Sequence, residues 1–117
     1  MNKRPSGPAS PRQLDVYTRS LELTALLQRH LERLSRALRD QAQRAVPSVT
    51  LNLAEALGRK GKDRAYHLSI ALGSAREVRA IADVALASGM IDAGAAGAIE
   101  ACGDRVCAML HALRARS

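Results

Sequence analysis

The fold of this chain is decided by two short stretches, SVTLNLAE at positions 48–55 and GSARE at positions 73–77. Small and polar residues recur in both at helical spacing, inside longer stretches whose apolar residues also repeat with the period of an α-helix. A plain bundle would carry leucine at these positions. The pattern predicts two helices packed closely around a few polar contacts, and it does not resemble an active site.

Helical periodicity covers nearly everything after residue 12 and predicts four helices, at about 12–30, 34–60, 62–88 and 92–114. Gly61 and Gly89 are expected to end the second and third helices, and Asp92 to cap the fourth. No glycine or proline separates the first two helices, so that boundary rests only on the need for the chain to fold back. Pro47 lies inside the second helix and predicts a kink.

The connections at 60–62 and 89–92 are short and force antiparallel neighbours. We therefore predict an all-α fold, an antiparallel up-down-up-down four-helix bundle formed by residues 12–117.

Each predicted helix carries an apolar stripe that is expected to face the core. On the first helix the stripe is Leu14, Tyr17, Leu21 and Ala25, widened by Leu23, Leu26 and Leu27. The stripes of the second, third and fourth helices are Leu34, Leu38, Ala42, Ala45, Val49, Leu53 and Ala56, then Leu68, Ala71, Ala75, Val78, Ala82 and Ala85, then Ile99, Cys102, Val106, Leu110 and Leu113. The third helix has a second stripe, Tyr66, Ile70, Ser74, Ile81 and Val84, which indicates contact with two neighbours.

A length of 117 residues predicts a single domain. Two tyrosines are its only Phe, Trp or Tyr residues. A core built from Leu, Val, Ile and many Ala buries little apolar area per residue, so we expect long interfaces or partner chains. Residues 1–11 hold three of the four prolines and are predicted to be a flexible basic tail. Neither a membrane-spanning run nor a secretory h-region is evident, and the expected location is cytoplasmic.

The polar residues Ser48, Asn52, Glu55 and Arg59 lie on one stripe of the second helix. In an antiparallel pair that turns near residue 61, the numbers of facing residues add to about 122. Ser48 is then expected beside Ser74, and Glu55 beside His67.

The same register places Glu77 beside Ala45, which makes Arg44 its expected counter-ion. A carboxylate buried between Ile70 and Ile81 without a partner would cost several kcal/mol, so Glu77 is assigned a structural role. Glu55 with His67 would be conceivable as an acid–base couple, but no nucleophile, metal ligand set or phosphate loop accompanies it. We predict no enzymatic activity, no catalytic residue and no cofactor.

These residues resemble a known family. The matching positions are Gln41, Arg44, Ala45, Ser48, Val49, Asn52, Leu53, Ala54, Glu55, Arg59, Ala71, Gly73, Ser74 and Glu77. They are similar to the signature of the bacterial four-helix-bundle proteins encoded in intervening sequences of large-subunit ribosomal RNA genes, a group that includes the accessory variability proteins of diversity-generating retroelements. The family glycine after Glu55 is Ala56 here, and Pro47 precedes the serine.

The resemblance implies a four-helix bundle that assembles as a ring-shaped homopentamer. For the retroelement members it also implies a basic surface that binds nucleic acid and a reverse transcriptase. The resemblance implies no particular substrate and no particular reaction.

The formal net charge is +7, with 18 Lys and Arg against 11 Asp and Glu. Such a surplus attracts phosphate polyanions or acidic partners. A high arginine content can also reflect the base composition of the coding DNA. Two clusters are candidates for binding RNA or DNA, namely Arg33 and Arg36, which share a face with Arg44, and the group Arg59, Lys60, Lys62 and Arg64. The alternative is a solvated face that keeps a small bundle soluble.

Specific base recognition is not expected, because both Tyr17 and Tyr66 fit apolar stripes better than a stacking surface. Cys102 and Cys107 are expected to be reduced core thiols. His30, His67 and His111 lack the partners of a helical metal site, so no metal is predicted.

Our first hypothesis is a non-enzymatic oligomeric scaffold that binds nucleic acid, as an accessory to a reverse transcriptase in the retroelement case. The alternative is a protein-interaction ring without a nucleic-acid role.

Overall fold

A computed structural model describes residues 10–117. The helices are α1 (Pro11–His30), α2 (Arg36–Leu57), α3 (Gly61–Ala87) and α4 (Ala93–Ala115), with a 3₁₀ turn at Leu31–Arg33. These bounds lie within one to three residues of the predicted ones. The predicted basic tail lies outside the described residues except for Ser10, which caps α1, and Pro11, which begins it.

The boundary between α1 and α2 is set by side chains and needs no glycine or proline. After the 3₁₀ turn, Leu34 is extended and Ser35 caps α2 by accepting a hydrogen bond from the backbone N–H of Leu38 at 3.3 Å. Arg39 then reaches back and donates to the carbonyl oxygens of Leu31 and Leu34, at 3.1 and 3.0 Å. In the sequence, Ser35 was the residue that could have predicted the start of α2, because serine is a preferred N-cap.

Gly89 follows the end of α3 with a φ of 74°, as expected, in the left-handed region that glycine adopts without strain. Gly61 also has a positive φ, 57°, but it begins α3, whereas α2 ends at Leu57 with Gly58 as its C-cap. Asp92 accepts a hydrogen bond from the backbone N–H of Ala95 at 2.8 Å and so caps α4. Helix α2 continues through Pro47, which occupies an exposed position.

The helices form an up-down-up-down four-helix bundle, as predicted. Each helix packs beside its two neighbours around the bundle, and within residues 10–117 the backbones of the diagonal pairs α1/α3 and α2/α4 do not approach within 8 Å between Cα atoms. Within residues 10–117, no helix combines the length and apolar character needed to cross a bilayer.

The core confirms the predicted main stripes of α2, α3 and α4, with Leu38 and Cys102 only partly buried. The prediction for α1 was right for Leu23 and Leu27 but wrong for most of its main stripe. Val16, Ser20, Leu23 and Leu27 face the core, whereas Leu14, Leu21 and Ala25 are exposed. Both sets of α1 residues repeat at helical spacing, so periodicity alone could not choose between them. The second stripe of α3 is divided, since Ile81 is buried but Tyr66 and Val84 are exposed.

A buried pair of hydroxyl groups explains which side of α1 faces inward. Ser20 is 1% exposed, donates to the carbonyl oxygen of Tyr17 at 2.7 Å, and accepts from Thr50 of α2 at 2.9 Å. Buried polar groups of this kind are costly unless they are hydrogen-bonded. The pair therefore fixes both the rotation of α1 and its height against α2.

We expect Ser20→Ala to lower the free energy of unfolding by about 1 kcal/mol, because it leaves the buried Thr50 hydroxyl without its partner. The double variant Ser20→Ala with Thr50→Val should cost less than the sum of the two single variants. Urea denaturation at a fixed protein concentration measures both quantities. Additive single effects would contradict the coupling.

Helices α3 and α4 approach closely where Arg79 crosses Gly103. A Cβ placed on Gly103 would lie 2.7 Å from Cγ of Arg79, so the glycine makes room for the arginine stem. The guanidinium donates to Glu100 at 2.5 and 3.2 Å. These hydrogen bonds lower the pKa of the Glu100 carboxyl below its ordinary value.

Because the pKa of Glu100 is lower in the folded protein, part of the free energy of unfolding depends on pH. The contribution is present above the unfolded-state pKa of about 4.3 and is lost as the pH falls through the lower folded-state value. We expect Glu100→Gln to lower the free energy of unfolding at pH 7 by less than about 1 kcal/mol, because Glu100 is partly exposed. Near pH 2 to 3 the two proteins should converge in urea titrations, and a pH-independent difference would contradict the assignment.

Candidate nucleic-acid interface

A chain of polar side chains joins α2 to α3. The hydroxyl of Ser74 donates to the hydroxyl oxygen of Ser48 at 2.7 Å, so the expected pairing is present. The amide nitrogen of Asn52 donates to the carbonyl and hydroxyl oxygens of Ser48, at 3.0 and 3.1 Å. Nδ1 of His67 lies 3.2 Å from the amide oxygen of Asn52 and must donate, because an amide oxygen only accepts. All four residues are partly buried, and their bonds hold the two helices in register.

Glu55 does not pair with His67, which corrects the expected couple. Its carboxylate accepts from Arg59, one turn further along α2, at 2.5 and 2.9 Å, and Arg59 also approaches Asp63 at 3.4 Å. The hydrogen bond from Arg59 holds the pKa of Glu55 below its ordinary value. A carboxylate held ionised by an adjacent arginine is a poor general base at neutral pH.

The assignment of Glu77 to a buried pair with Arg44 was also wrong. Both side chains are exposed, and within residues 10–117 no ion pair joins either to another group. Ser74 bonds to α2 and Ile81 is buried, whereas Glu77 is exposed, so its carboxylate stays in water and needs no partner.

Arg64, which the sequence placed in a binding cluster, serves mainly as a cap. Its guanidinium donates to the carbonyl oxygens of Ala56, Arg59 and Leu57, at 3.1, 2.8 and 3.4 Å. Ala56 and Leu57 are the last residues of α2, and Arg59 lies in the connection that follows. Arg64 therefore closes the connection between α2 and α3, and only part of its hydrogen-bonding capacity remains for a ligand.

The antiparallel topology gathers further cations beside this connection. The N-terminus of α1, the α2–α3 connection and the C-terminus of α4 lie at one end of the bundle. Together they present a group that we call the basic end, consisting of Arg12, Lys60, Lys62, Arg64, Arg114 and Arg116. No member forms an ion pair with a described residue.

A cleft of about 440 Å³ opens within the basic end. It is lined by Ser10, Arg12, Arg64 and Arg116, together with Leu113. Three guanidinium groups around one cleft match the geometry that binds phosphate oxygens. The sequence analysis missed Arg12, Arg114 and Arg116, although the alternating helix directions already placed both termini beside the 60–62 connection.

The other predicted cluster lies at the opposite end of the bundle. Arg33 and Arg36 are exposed at the α1–α2 connection. The bundle is 47 Å long, so these residues and the basic end cannot form one continuous surface within a chain.

The remaining candidates, the two cysteines and Tyr66, lie outside the polar seam and the basic end. Cys102 and Cys107 are free thiols. Cys107 is buried, and Cys102 is half-buried with its thiol 3.5 Å from the carbonyl oxygen of Arg19. No three His, Cys, Asp or Glu side chains between positions 10 and 117 come together in a way that could hold a metal. Tyr66, expected in an apolar stripe, is exposed and stands edge-on to the His67 ring at 5.2 Å.

Because Arg64 caps α2 and Lys62 does not, we expect their replacement by alanine to change the free energy of unfolding by different amounts. Arg64→Ala should lower the free energy of unfolding by about 1 kcal/mol, because it removes the side-chain donor from the carbonyl oxygens of Leu57 and Arg59 and a cation from the C-terminal end of α2. Lys62→Ala, two residues away and exposed, should change it by no more than about 0.5 kcal/mol. Thermal or urea unfolding checks this, and equal effects of the two variants would count against the cap.

The fold and its polar seam define an all-helical four-helix-bundle protein, and comparison with known proteins identifies its family. The family model for the 23S rRNA-intervening sequence proteins matches residues 12–112, and the chain belongs to that family. It is similar to a crystal structure of a protein of unknown function, from the S23 ribosomal protein family of Bacteroides thetaiotaomicron, with a TM-score of 0.79 and 19% identity. The match covers 88% of this chain and 97% of the other, and it shows a shared fold. No curated protein matches.

Proposed function

We propose that this protein is a non-enzymatic, self-associating helical scaffold whose basic end binds the phosphate backbone of RNA or DNA. The single observation that carries the proposal is the group of six cations at one end of the bundle, none of them neutralised by a described carboxylate. Fixed cations of this kind attract polyanions over roughly a Debye length, about 8–10 Å at ordinary salt. Family membership supports it only indirectly, through the ribosomal RNA genes that the family name describes.

Binding of this kind would recognise backbone charge and not base sequence. The cations are arginines and lysines, and Tyr66, the exposed aromatic of the described residues, lies on the outer face of α3 away from the cleft. Stacking on single strands needs several such rings in series. Affinity should therefore depend steeply on salt and weakly on sequence.

The lack of turnover chemistry is part of the proposal. Glu55 is held by Arg59, and His67 is engaged by Asn52, so the one conceivable acid–base couple is not assembled. The partly buried bonds among Ser48, Asn52, His67 and Ser74 tie two helices together, which is a structural use of these side chains.

A protein partner is the second candidate, favoured by the same unneutralised cations, which would equally suit an acidic protein surface. The reverse transcriptase suggested by the retroelement branch belongs here as a finer proposal, as does the pentameric ring. A pull-down that returns one stoichiometric protein, unchanged by nuclease, would favour this candidate over nucleic acid.

We expect the affinity for a duplex of 20 to 30 base pairs, or for an RNA hairpin, to fall by orders of magnitude between about 50 and 200 mM salt. Changing Lys60, Lys62 and Arg116 to alanine should reduce the slope of log affinity against log salt by about one per lost phosphate contact. Fluorescence anisotropy measures both. These positions avoid Arg59 and Arg64, whose replacement would disturb the helix connection.

The matched control is Arg33→Ala with Arg36→Ala, which removes two exposed arginines at the far end of the bundle. It should leave the slope unchanged. Absence of binding at low salt, or a slope that responds equally to both sets, would overturn the proposed interface.

A further inference from the structure

The cleft in the basic end is built from three segments of the chain. Ser10 and Arg12 come from the start of α1, Arg64 from the first turn of α3, and Leu113 and Arg116 from the end of α4. Its volume of about 440 Å³ is in the range of small-ligand sites. It is much too small for a double helix, whose major groove alone is about 12 Å wide. A nucleic acid can therefore place only one small group in the cleft, while the rest of it stays outside.

Two of the three guanidinium groups in the cleft are held in place by the protein itself. Arg64 is anchored through Nε and Nη2 to carbonyl oxygens around the end of α2, and Nη1 of Arg116 donates to the carbonyl oxygen of Ala112 at 3.1 Å. Nη1 of Arg64, and Nε and Nη2 of Arg116, donate to no residue between positions 10 and 117. Because the anchored groups have already lost side-chain freedom, a ligand that accepts from these remaining donors binds with a smaller entropic cost.

The start of α1 adds a backbone donor beside the same arginines. Pro11 has no N–H, and the N–H of Gln13 donates to Oγ of Ser10 at 3.2 Å. The N–H of Arg12 has no partner within the described part of the chain, and it lies at the positive end of the helix dipole. The three arginines carry the argument, and the helix start adds to the positive potential of the cleft that they line.

The chemical group that matches these donors is a phosphate monoester. At neutral pH a monoester carries a charge of about −1.5 to −2 and has three strong acceptor oxygens, so each guanidinium can bind a different oxygen. An internal phosphodiester carries a single negative charge, and the strand continues on both sides of it. Among the described side chains that line the cleft, none is acidic, so no side-chain carboxylate there opposes a dianion.

We propose that the cleft binds the terminal phosphate monoester of a nucleic-acid strand through its three arginines. The inference rests on the proposed function and specifies the group that the basic end recognises. The other cations of the basic end lie outside the cleft lining and contact the internal phosphates that follow the terminal one. These cations are Lys60, Lys62 and Arg114. Binding therefore selects strand ends by their phosphate and does not depend on base sequence.

A phosphorylated peptide carries the same monoester and is the competing class of ligand. The cations outside the cleft favour a nucleic acid, because every strand brings a further negative charge about every 3.4 Å along its axis. A peptide brings such charges only where its sequence happens to be acidic. The proposal is therefore committed to a strand end, and the peptide is one of the ligands compared below.

The first test measures whether the terminal phosphate matters. A short single strand of fixed sequence, with an internal fluorophore, is prepared with a 5′-phosphate, a 3′-phosphate or hydroxyl groups at both ends. By fluorescence anisotropy at one salt concentration, we expect both phosphorylated strands to bind about tenfold more tightly than the hydroxyl strand. Equal affinity for all three strands would overturn the inference and leave backbone binding by the basic end intact. Absence of binding by every strand at low salt would overturn both proposals.

The second test separates the cleft from the general charge of the basic end. Arg12→Gln removes an exposed cation of the cleft, and Lys62→Gln removes an equal charge outside its lining. Arg64 is left unchanged because it caps α2. We expect Arg12→Gln to lower the preference for phosphorylated over hydroxyl strands several-fold, and Lys62→Gln to weaken both strands by the same factor.

Circular dichroism verifies that both variants keep the helical content of the parent chain. Arg116→Gln is a second cleft variant at the opposite wall, and it should lower the preference as Arg12→Gln does. If Lys62→Gln lowered the preference as much as the two cleft variants, the phosphate would be attracted by general charge, and the assignment of the cleft would be overturned.

The third test identifies the source of the monoester by competition against the 5′-phosphorylated strand. A nucleoside 5′-monophosphate and a phosphoserine peptide are the competitors. We expect both to displace the strand only at concentrations far above its Kd, because neither reaches the cations outside the cleft. Displacement by the mononucleotide near that Kd would assign the cleft to a free nucleotide, and displacement by the peptide would assign it to a phosphoprotein. Either result would overturn the strand end as the ligand.

Discussion

Hydroxyl groups that bond across the helices hold this bundle in register. Eight of the 25 apolar residues in its core are alanines, whose small side chains give close helix contacts but few knobs to prevent one helix from sliding along another. Ser20 with Thr50, and Ser48 with Ser74, supply the missing constraint, because a slide of one turn would leave buried hydroxyls unpaired. Because the alanine-rich contacts alone would allow the helices to slide, the bundle needs these polar pairs to fix its register.

This register has a consequence at one end of the bundle. It places the start of α1 and the end of α4 beside the α2–α3 connection, where Arg64 caps α2 and the remaining cations stay unneutralised. The cleft between Arg12, Arg64 and Arg116 exists only because three segments distant in sequence end at the same level. The proposed phosphate interface is thus a product of helix lengths as much as of charge.

The sequence by itself determined the helices, their antiparallel order, the inward faces of α2 and α3, and the pairing of Ser48 with Ser74. These follow from local chemistry, since apolar spacing, glycine at φ near 57° and 74°, and an aspartate cap act within a few residues. Only the tertiary structure decided which side of α1 faces the core, because Leu14 and Leu21 repeat with the same period as Leu23 and Leu27. Contacts between distant residues likewise decided the partners of Glu55, the exposure of Glu77, and the grouping of Arg12, Arg114 and Arg116, and no periodicity within one helix records such contacts.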